Sequence, residues 1–356
     1  MKRIFLAAAM AVLALSSCSK NEVAPNMSES NKISFDAYTG ISTKAAVVES
    51  LETSGFYVWA NYDATSYASY FSSIPFSYDN SSSYSGNVYW PGESALNFFM
   101  MNSTDDANNV SSFNVSDTGV TSFTYTTADG STTPHHDLVY SALKGKSSTD
   151  YSSGGTAGQA ELTFKHALSK VGVHVKADTD LSNLKLAVTS IKFNDLLATA
   201  TATLAEDADL STTDLTWAES GSYANTASIG LADDMAVSDN SGTLDKGGIA
   251  GGQTSATDAT ADSGYLFMIP NNYSSSVTIT VQGQWYEETS TGVWETFGSA
   301  VSATTDNISA NWVKGTAYQY NVSLTPSTSG YTEITFTVSS IESWGNATEN
   351  GASANN

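Results

Sequence analysis

The sequence predicts an all-β fold, and three observations lead to that prediction. Short segments in which apolar and polar residues alternate recur along the chain, as expected for strands that bury one face. No segment longer than about ten residues keeps a helical period of apolar residues. Charged residues make up only 14% of the chain, a composition that suits half-exposed sheets. Strand-rich chains of this size usually form sandwiches, in which two sheets bury one face each.

The chain opens with a segment typical of a secretory signal peptide. Lys2 and Arg3 precede an apolar run over residues 4–15, which is too short to span a bilayer stably. Leu15-Ser16-Ser17-Cys18 follows and looks like a lipobox, in which Cys18 is diacylated on its sulfur and becomes the new N-terminus. Two acyl chains hold a protein at a membrane, so we expect an exported and tethered protein. The alternative is an ordinary signal peptide with an incidental cysteine.

The charge balance limits the possible partners. The formal net charge is −22 at pH 7, and removal of residues 1–17 would take away two positive charges. Nucleic acid is excluded as a partner, because its phosphates would be repelled and no basic patch offsets the repulsion. The acidity suits solubility at a crowded surface. Because Cys18 is the only cysteine, stability must come from packing rather than from a disulfide.

The first predicted domain covers residues 33–158 and follows a polar, lipidated tether over residues 18–32. Its first strand, residues 33–37, places Ile33, Phe35 and Ala37 on one face. Residues 95–101 are apolar throughout, which indicates a central strand. Other strands are predicted at residues 55–61, 88–91 and 137–142, with short alternating runs within 110–126. Residues 144–159 are rich in Gly, Ser and Thr and indicate a loop close to the domain boundary.

The second predicted domain covers residues 159–346 and is followed by a polar tail over residues 347–356. A long alternating segment over residues 162–175 opens its strand system. Residues 219–262 are polar and are interpreted as a long surface excursion. The remaining strands are predicted at residues 184–193, 198–204, 265–270, 277–285, 294–303, 318–324 and 334–338.

No group of residues indicates catalysis or metal binding. Neighbouring acids at residues 105–106, 233–234 and 287–288 would point to opposite faces of a strand, so none forms an acid and base pair. Neither a nucleophile elbow nor a phosphate-binding glycine loop is present. We therefore expect no enzyme, no cofactor and no metal, with calcium at an acidic loop left open. The histidines are interpreted as sheet or surface residues rather than ligands: His135, His136, His166 and His174.

The order of several sequence blocks resembles that of the fimbrillins, the subunit family of Bacteroidia type V fimbriae. The resemblance spans the mature chain, and the order of the blocks is more specific than any block alone. The blocks are the lipobox, Ile33–Ala37 with Thr43-Lys44-Ala45, Tyr89-Trp90-Pro91 with Leu96-Asn97-Phe98-Phe99, Asp137-Leu138-Val139-Tyr140, residues 162–171, residues 265–270, residues 312–320 and residues 334–344.

The resemblance implies two tandem transthyretin-like β-sandwich domains and a route of assembly. The lipoprotein precursor would reach the surface of the outer membrane, where a trypsin-like protease would cut between Lys44 and Ala45. The strand with Ile33, Phe35 and Ala37, which plugs its groove in the precursor, would then leave, and a strand of another fimbrial subunit would fill the groove. Family members often carry arginine at the cut, so Lys44 implies a protease that accepts lysine. The alternative is that Lys44 is a solvated loop residue.

The candidate donor strand lies near the C-terminus. Ile334, Phe336 and Val338 share one face of a predicted strand, whereas the residues after Trp344 lack any alternating apolar set and cannot fill a groove. If residues 334–338 belong to the second domain's own sheet, no donor strand remains. The protein would then sit at a fimbrial tip or act as a non-polymerising surface lipoprotein.

A run of aromatic residues in the first domain supports a second hypothesis. Exposed rings can stack on sugars, so the protein could be an adhesin that binds a glycan or protein ligand on a host or bacterial surface. The alternative is that these rings form strand faces and loop anchors. The run comprises Tyr57, Tyr62, Tyr67, Tyr70, Phe71, Phe76, Tyr78, Tyr84 and Trp90.

Overall fold

The computed structural model describes residues 32–38, 51, 53–63, 68–78, 83–105, 107–115, 120–129, 135–150, 159–205, 214–232, 235, 237–238, 244–246, 248–255, 257–260, 264–326 and 333–343. Leu51, Thr53 and Ser54 have helical backbone, and most other described residues lie in strands. The prediction of an all-β fold is confirmed. Within the described ranges, no helix is long and apolar enough to cross a membrane.

The strands are numbered in chain order. The first ten are β1 Lys32–Tyr38, β2 Phe56–Tyr62, β3 Ser69–Tyr78, β4 Tyr84–Tyr89, β5 Leu96–Met101, β6 Val110–Val115, β7 Val120–Thr126, β8 Val139–Lys146, β9 Gln159–Thr163 and β10 Lys165–His166. The others are β11 Ser169–Ala177, β12 Leu184–Leu197, β13 Thr199–Ala205, β14 Thr216–Glu219, β15 Tyr223–Ser228, β16 Val237–Ser238, β17 Leu244–Lys246, β18 Ile249–Ala250, β19 Thr257–Asp258, β20 Leu266–Met268, β21 Asn271–Ser290, β22 Val293–Thr304, β23 Ile308–Trp312, β24 Thr316–Thr325 and β25 Glu333–Ser343.

The first half of the chain builds a sheet of eight strands in the order β10-β8-β5-β2-β3-β4-β1-β9. Phe164 alone separates β9 from β10, yet these strands lie at opposite ends of that order. The sheet therefore folds back on itself, and the chain passes from one layer to the other at Phe164, as strands do at the corners of sandwiches. The core enclosed by this sheet contains Ile33, Phe35, Leu51, Phe56, Val58, Ala60, Phe76, Tyr84, Trp90, Leu96, Phe98, Met100, Val139, Leu162 and Phe164.

Strand β5 is buried on both faces, which explains why its sequence is apolar throughout. Phe98 and Met100 face the core of the first sheet, whereas Phe99 and Met101 belong to a second, larger core. Successive side chains of a strand point to opposite faces, so a strand between two cores must be apolar at every position. Its neighbours β2 and β8 pair with it on either side.

The second half of the chain builds two more sheets around the larger core. One contains β19-β11-β24-β25, with β20 also paired to β11. The other contains β15-β12-β21-β22, with β18 paired to β12 and β23 paired to β21. Two strands, β16 and β17, pair with each other. The inward residues of β11 and β12, such as Val173 and Ile191, are fully buried in the core that the two sheets share.

A sheet of four strands, in the order β14-β13-β7-β6, joins the two halves. Its hairpin β6–β7 comes from the first half and its hairpin β13–β14 from the second, and β7 pairs with β13 antiparallel from Val120↔Ala205 to Thr126↔Thr199. Phe123 of β7 is fully buried and lies 5.9 Å from Phe113, whose ring stacks 4.5 Å from Trp59 of β2. The Phe123 ring also lies 5.7 Å from the Trp217 ring of β14, so the two halves share both a backbone ladder and an aromatic core.

Polar side chains reinforce this junction. The Tyr140 hydroxyl donates to the Asp214 carboxylate, and Lys314 Nζ lies 3.2 Å from the same carboxylate. Burial raises the pKa of Asp214, but the Tyr140 hydrogen bond and the lysine charges outweigh burial, so the pKa lies below its usual value. Trp217 Nε1 donates to the Ala167 carbonyl at 2.9 Å. The contact of Tyr140 ties β8 to the second half, and that of Trp217 ties β14 to the crossing segment.

The predicted boundary between residues 158 and 159 stays a prediction, but the strand pairing places it in context. β9 pairs with β1, and β10 pairs with β8, so residues 159–163 and 165–166 lie in the first sheet. The predicted continuous strand over residues 162–175 is divided between two sheets, because the chain crosses at Ala167 and Leu168 before β11 begins.

We expect the stability of the junction to depend on pH through His135. Burial lowers the pKa of His135 to about 4, and its Nδ1 accepts a hydrogen bond from Phe267 N–H at 3.1 Å. The unfolded chain binds this proton at higher pH than the folded chain, so the contribution is complete above pH ~6.5 and is lost as the pH falls towards 4. From pH 7 to pH 4.5 we expect a loss of about 2–3 kcal/mol that His135→Gln does not show.

The measurement is the free energy of unfolding in urea at each pH, for the natural chain and the variant, because carboxylate titration is common to both. His136→Gln, at the exposed neighbouring position, is the matched control and should behave like the natural chain. An equal pH dependence in the natural chain and His135→Gln would contradict this role of His135.

Candidate functional site: the first strand and its groove

Strand β1 lies inside the first sheet, between β4 and β9. It pairs antiparallel with β4 at Ser34↔Ser85 and Phe35↔Tyr84, and parallel with β9 from Ser34↔Gln159 to Tyr38↔Thr163. Both edges of the strand are thus hydrogen-bonded. The predicted plug strand therefore occupies a slot with one antiparallel and one parallel wall, which we call the β1 groove.

The side chains of β1 fill the floor of this groove. Ile33 and Phe35 have no exposed surface, whereas Ser34 between them is half-buried. The Phe35 ring lies 5.2 Å from Phe76 and 5.4 Å from Phe98, the latter edge-on. Burial of each side chain contributes about 1.5–3 kcal/mol, and close aromatic pairs add about 0.5–1.5 kcal/mol.

A glycine in β4 allows this aromatic floor to form. A side chain at Gly86 would bring its Cβ within 2.7 Å of the Phe76 ring and 3.0 Å of Ile74. The Phe76 ring therefore lies across β4 at the one position where β4 has no side chain, and it is held there beside Phe35.

Several predicted site residues are placed only partly or lie outside the described ranges. Ala37 is in β1 and pairs by backbone with Leu162. Cys18, Lys44 and Ala45 lie outside the described residues, so lipidation and cleavage stay predictions. Ile334, Phe336 and Val338 are in β25, whose backbone pairs antiparallel with β24 at Leu324, Val322 and Tyr320 respectively.

Strand β25 thus lies at the end of the sheet order β19-β11-β24-β25, paired within its own chain. While β25 stays in this sheet no donor strand remains, so a donor role requires β25 to leave its pairing with β24. The pairing describes one chain by itself, so the role of β25 as a donor stays a proposal.

The aromatic run of the first half is distributed around cores. Phe76, Tyr84 and Trp90 are buried, and Tyr70 is half-buried with its hydroxyl donating to the Tyr89 carbonyl at 2.7 Å. The remaining described members of the run pack against a core: Tyr57, Tyr62, Phe71 and Tyr78. Tyr67 lies outside the described residues. The described rings of the run thus act as strand faces and anchors, which is the alternative to a sugar-stacking platform.

The histidines do not converge. His166 Nδ1 lies 2.8 Å from Asp137 Oδ2, His135 contacts the backbone of Phe267, and His174 lies in β11, a different sheet from His166. Among the residues that the structure describes, no group of three or more His, Cys, Asp or Glu side chains could hold a metal ion.

Sequence reasoning did not find the groove's second wall or the residues of the junction. The sequence pattern places β9 at the start of the second domain, and no pattern groups Tyr140 with Asp214 and Lys314. The register of β9 with β1 depends on contacts between residues more than 120 positions apart, such as Phe35↔Ala160, and no local pattern carries that information.

A family model described as fimbrillin-like matches residues 43–344, from just after β1 to just after β25. No protein of curated function matches the chain.

A solved structure with the same fold is a fimbrial protein from Bacteroides vulgatus, which is 17% identical with a TM-score of 0.63, over 88% of this chain and 99% of that one. A candidate cell adhesion protein from Bacteroides uniformis is 13% identical with a TM-score of 0.42, over 88% and 98% of the two chains. Another, from Bacteroides ovatus, is 15% identical with a TM-score of 0.44, over 81% and 86%. Because the family model spans most of its length, this chain belongs to the fimbrillin-like family.

Proposed function

We propose that this chain is a structural subunit of a cell-surface fimbria that supports adhesion and assembles by removal of β1 and strand exchange. Membership of the fimbrillin-like family supports a fimbrial or adhesive role at the cell surface, association with other fimbrial subunits, and a structural rather than an enzymatic function. The observation that carries the finer proposal is the β1 groove, which holds a short N-terminal strand by buried side chains and two backbone ladders.

The proposed pathway starts from the outer membrane. Cys18 would carry the lipid that anchors the precursor, and a trypsin-like protease would cut between Lys44 and Ala45. The cut falls after the end of β1 at Tyr38, so it would free the strand together with the lipidated N-terminus. An exposed groove with unpaired N–H and C=O groups and apolar pockets recruits another strand.

The sequence of β25 supports it as the replacement strand. Ile33-Ser34-Phe35-Asp36-Ala37 and Ile334-Thr335-Phe336-Thr337-Val338 have the same residue at the first and third positions, and a small or aliphatic residue at the fifth. A strand with this alternation can place Ile334 and Phe336 in the pockets of Ile33 and Phe35 without changing register.

The direction of the strands also supports this exchange between copies. β25 begins at Glu333 opposite Thr325, the end of its sheet away from the crossing at Ala167 and Leu168. β1 begins at Lys32 opposite Tyr89, which is likewise the end of the first sheet away from that crossing. When β25 leaves one copy, it can therefore enter the groove of the next copy at the end where β1 begins and run in the direction of β1.

We expect Lys44→Ala to block maturation. Without the lysine, a trypsin-like protease has no Lys or Arg bond to cut between β1 and β2, so the precursor keeps its plug and cannot polymerise. Unboiled cell-surface material should show heat-sensitive ladders for the natural chain and a single band for the variant. N-terminal sequencing should find Ala45 in the natural chain and a lipid-blocked Cys18 in the variant.

Lys32→Ala is the matched control, because it removes the lysine at the start of β1 rather than the one after it, and its ladders should persist. Ladders in the Lys44→Ala variant would count against cleavage at this site. A single band at the mature monomer mass for the natural chain would favour a non-polymerising or tip adhesin instead.

We also expect a disulfide to trap the exchanged strand in one register. Ser34 lies opposite Ser85, and residues opposite each other in an antiparallel pair have Cα atoms about 4.5–5.5 Å apart, within disulfide reach. If Thr335 replaces Ser34, the combined variant Thr335→Cys and Ser85→Cys should form ladders that survive boiling and collapse on reduction.

The combined variant Thr337→Cys and Ser85→Cys is the matched control for a shift of two residues, and each single variant controls for other cysteine pairing. Ladders that form without any disulfide in the first variant, or with one in the shifted variant, would show that a different strand or register fills the groove.

A further inference from the structure

The two walls of the β1 groove are supported very differently. β4 pairs with β3 at Ser77↔Ser85 and Tyr78↔Tyr84, so it remains part of the sheet when β1 is absent. β9 lies at the end of the sheet order, and within the described ranges β1 is the only strand with which it pairs. Removal of β1 therefore leaves one wall in place and deprives the other of its ladder.

Besides its ladder with β1, β9 is anchored only near its C-terminal end. Phe164, directly after β9, is 6% exposed and lies 5.1 Å from the Phe56 ring. β10 then pairs with β8 at Lys165↔Tyr140 and His166↔Val139. Leu162 is fully buried, but the register from Gln159 to Thr163 is held by β1. A hinge at Phe164 thus remains, while the start of β9 has no described ladder besides the one with β1.

We propose that β9 is ordered by whichever strand occupies the groove, so that a processed subunit presents a half-built site which the incoming strand of a second copy completes. This inference rests on the proposed removal of β1. The incoming strand gains an antiparallel ladder with β4 and restores a parallel ladder with β9. Backbone N–H and C=O groups that stay unpaired beside a core cost free energy, so an ordered β9 helps to hold the strand in the groove. Because β9 is ordered only when a strand is present, it contributes to retention of the incoming strand but not to its first contact.

The arrangement also specifies the direction that the partner strand takes. A strand that runs as β1 does restores the parallel pairing with β9 and places alternate side chains over the Phe56, Phe76 and Phe98 floor. A reversed strand would have to pair parallel with β4 and antiparallel with β9, and so exchange the hydrogen-bond pattern of both walls. The partner that fits is a strand of a second copy with the polarity of β1.

Hydrogen exchange measured by mass spectrometry tests this proposal. The full chain carries Phe35→Asp and an inserted site for a sequence-specific protease after residue 40, and after cleavage the freed N-terminal piece is removed by size exclusion. We expect the amides of β9 to exchange about 100-fold faster or more, most strongly at residues 159–161, while β5 keeps its protection. Addition of a synthetic peptide of residues 333–343 should restore the protection of β9, as should a peptide of residues 32–38.

The matched control is the uncut chain with Ser34→Asp, a half-buried position on the other face of β1, which should keep β9 protected. Protection of β9 in the cleaved chain would overturn the proposal, since β9 would then be held by other contacts or would have re-paired with β4. Loss of protection in β5 as well would also overturn it, because β1 would then hold the whole first half. Ladders on cells test the proposed function separately, since fimbriae could form with a preformed β9.

Discussion

The burial of Phe35 between the rings of Phe76 and Phe98 is the contact on which the first half of this protein depends. Those rings come from β3 and β5, so one side chain of β1 contacts strands that lie two and four positions away in the sheet order. Because Gly86 leaves room for the Phe76 ring, the pocket is shaped by β4 as well. A strand of seven residues is thus held in place by a pocket that three other strands build.

This dependence has two sides. The apolar contacts stabilise β1 in its groove, since removing an aromatic side chain from a close-packed site is costly in free energy. In the proposed exchange they would also make the site selective, because only a strand with apolar residues at alternate positions could replace β1 without exposing its own apolar face. In the proposed exchange, the pockets of Ile33 and Phe35 would therefore both hold β1 in place and select the strand that replaces it.

Local pattern was sufficient to predict much of the fold. The alternation of Ile33 and Phe35 predicted a strand with one buried face, and the unbroken apolar run of β5 predicted a central strand, as the structure shows. Pairing between distant segments could not be predicted. β7 and β13 are each ordinary alternating strands, and nothing in either sequence indicates that residues 120–126 and 199–205 form one ladder. The pattern of residues 162–175 also gave no sign of the crossing between sheets. An alternating pattern shows which side chains share a face of a strand, but not with which strand they pair.

The shared sheet has a mechanical consequence. A subunit in a filament would be gripped at the β1 groove in one half and pulled through β25 in the other, so tension must cross from half to half. The crossing at Ala167 and Leu168 is a single covalent connection, but the ladder between β7 and β13 also joins the two halves, with seven paired positions. The load would then be divided between this covalent connection and the hydrogen bonds of the β7–β13 ladder. The rings of Phe123 and Trp217, with centroids 5.7 Å apart, add a packing contact between the two halves. Such a subunit would transmit force through two halves that are joined side by side as well as through the chain.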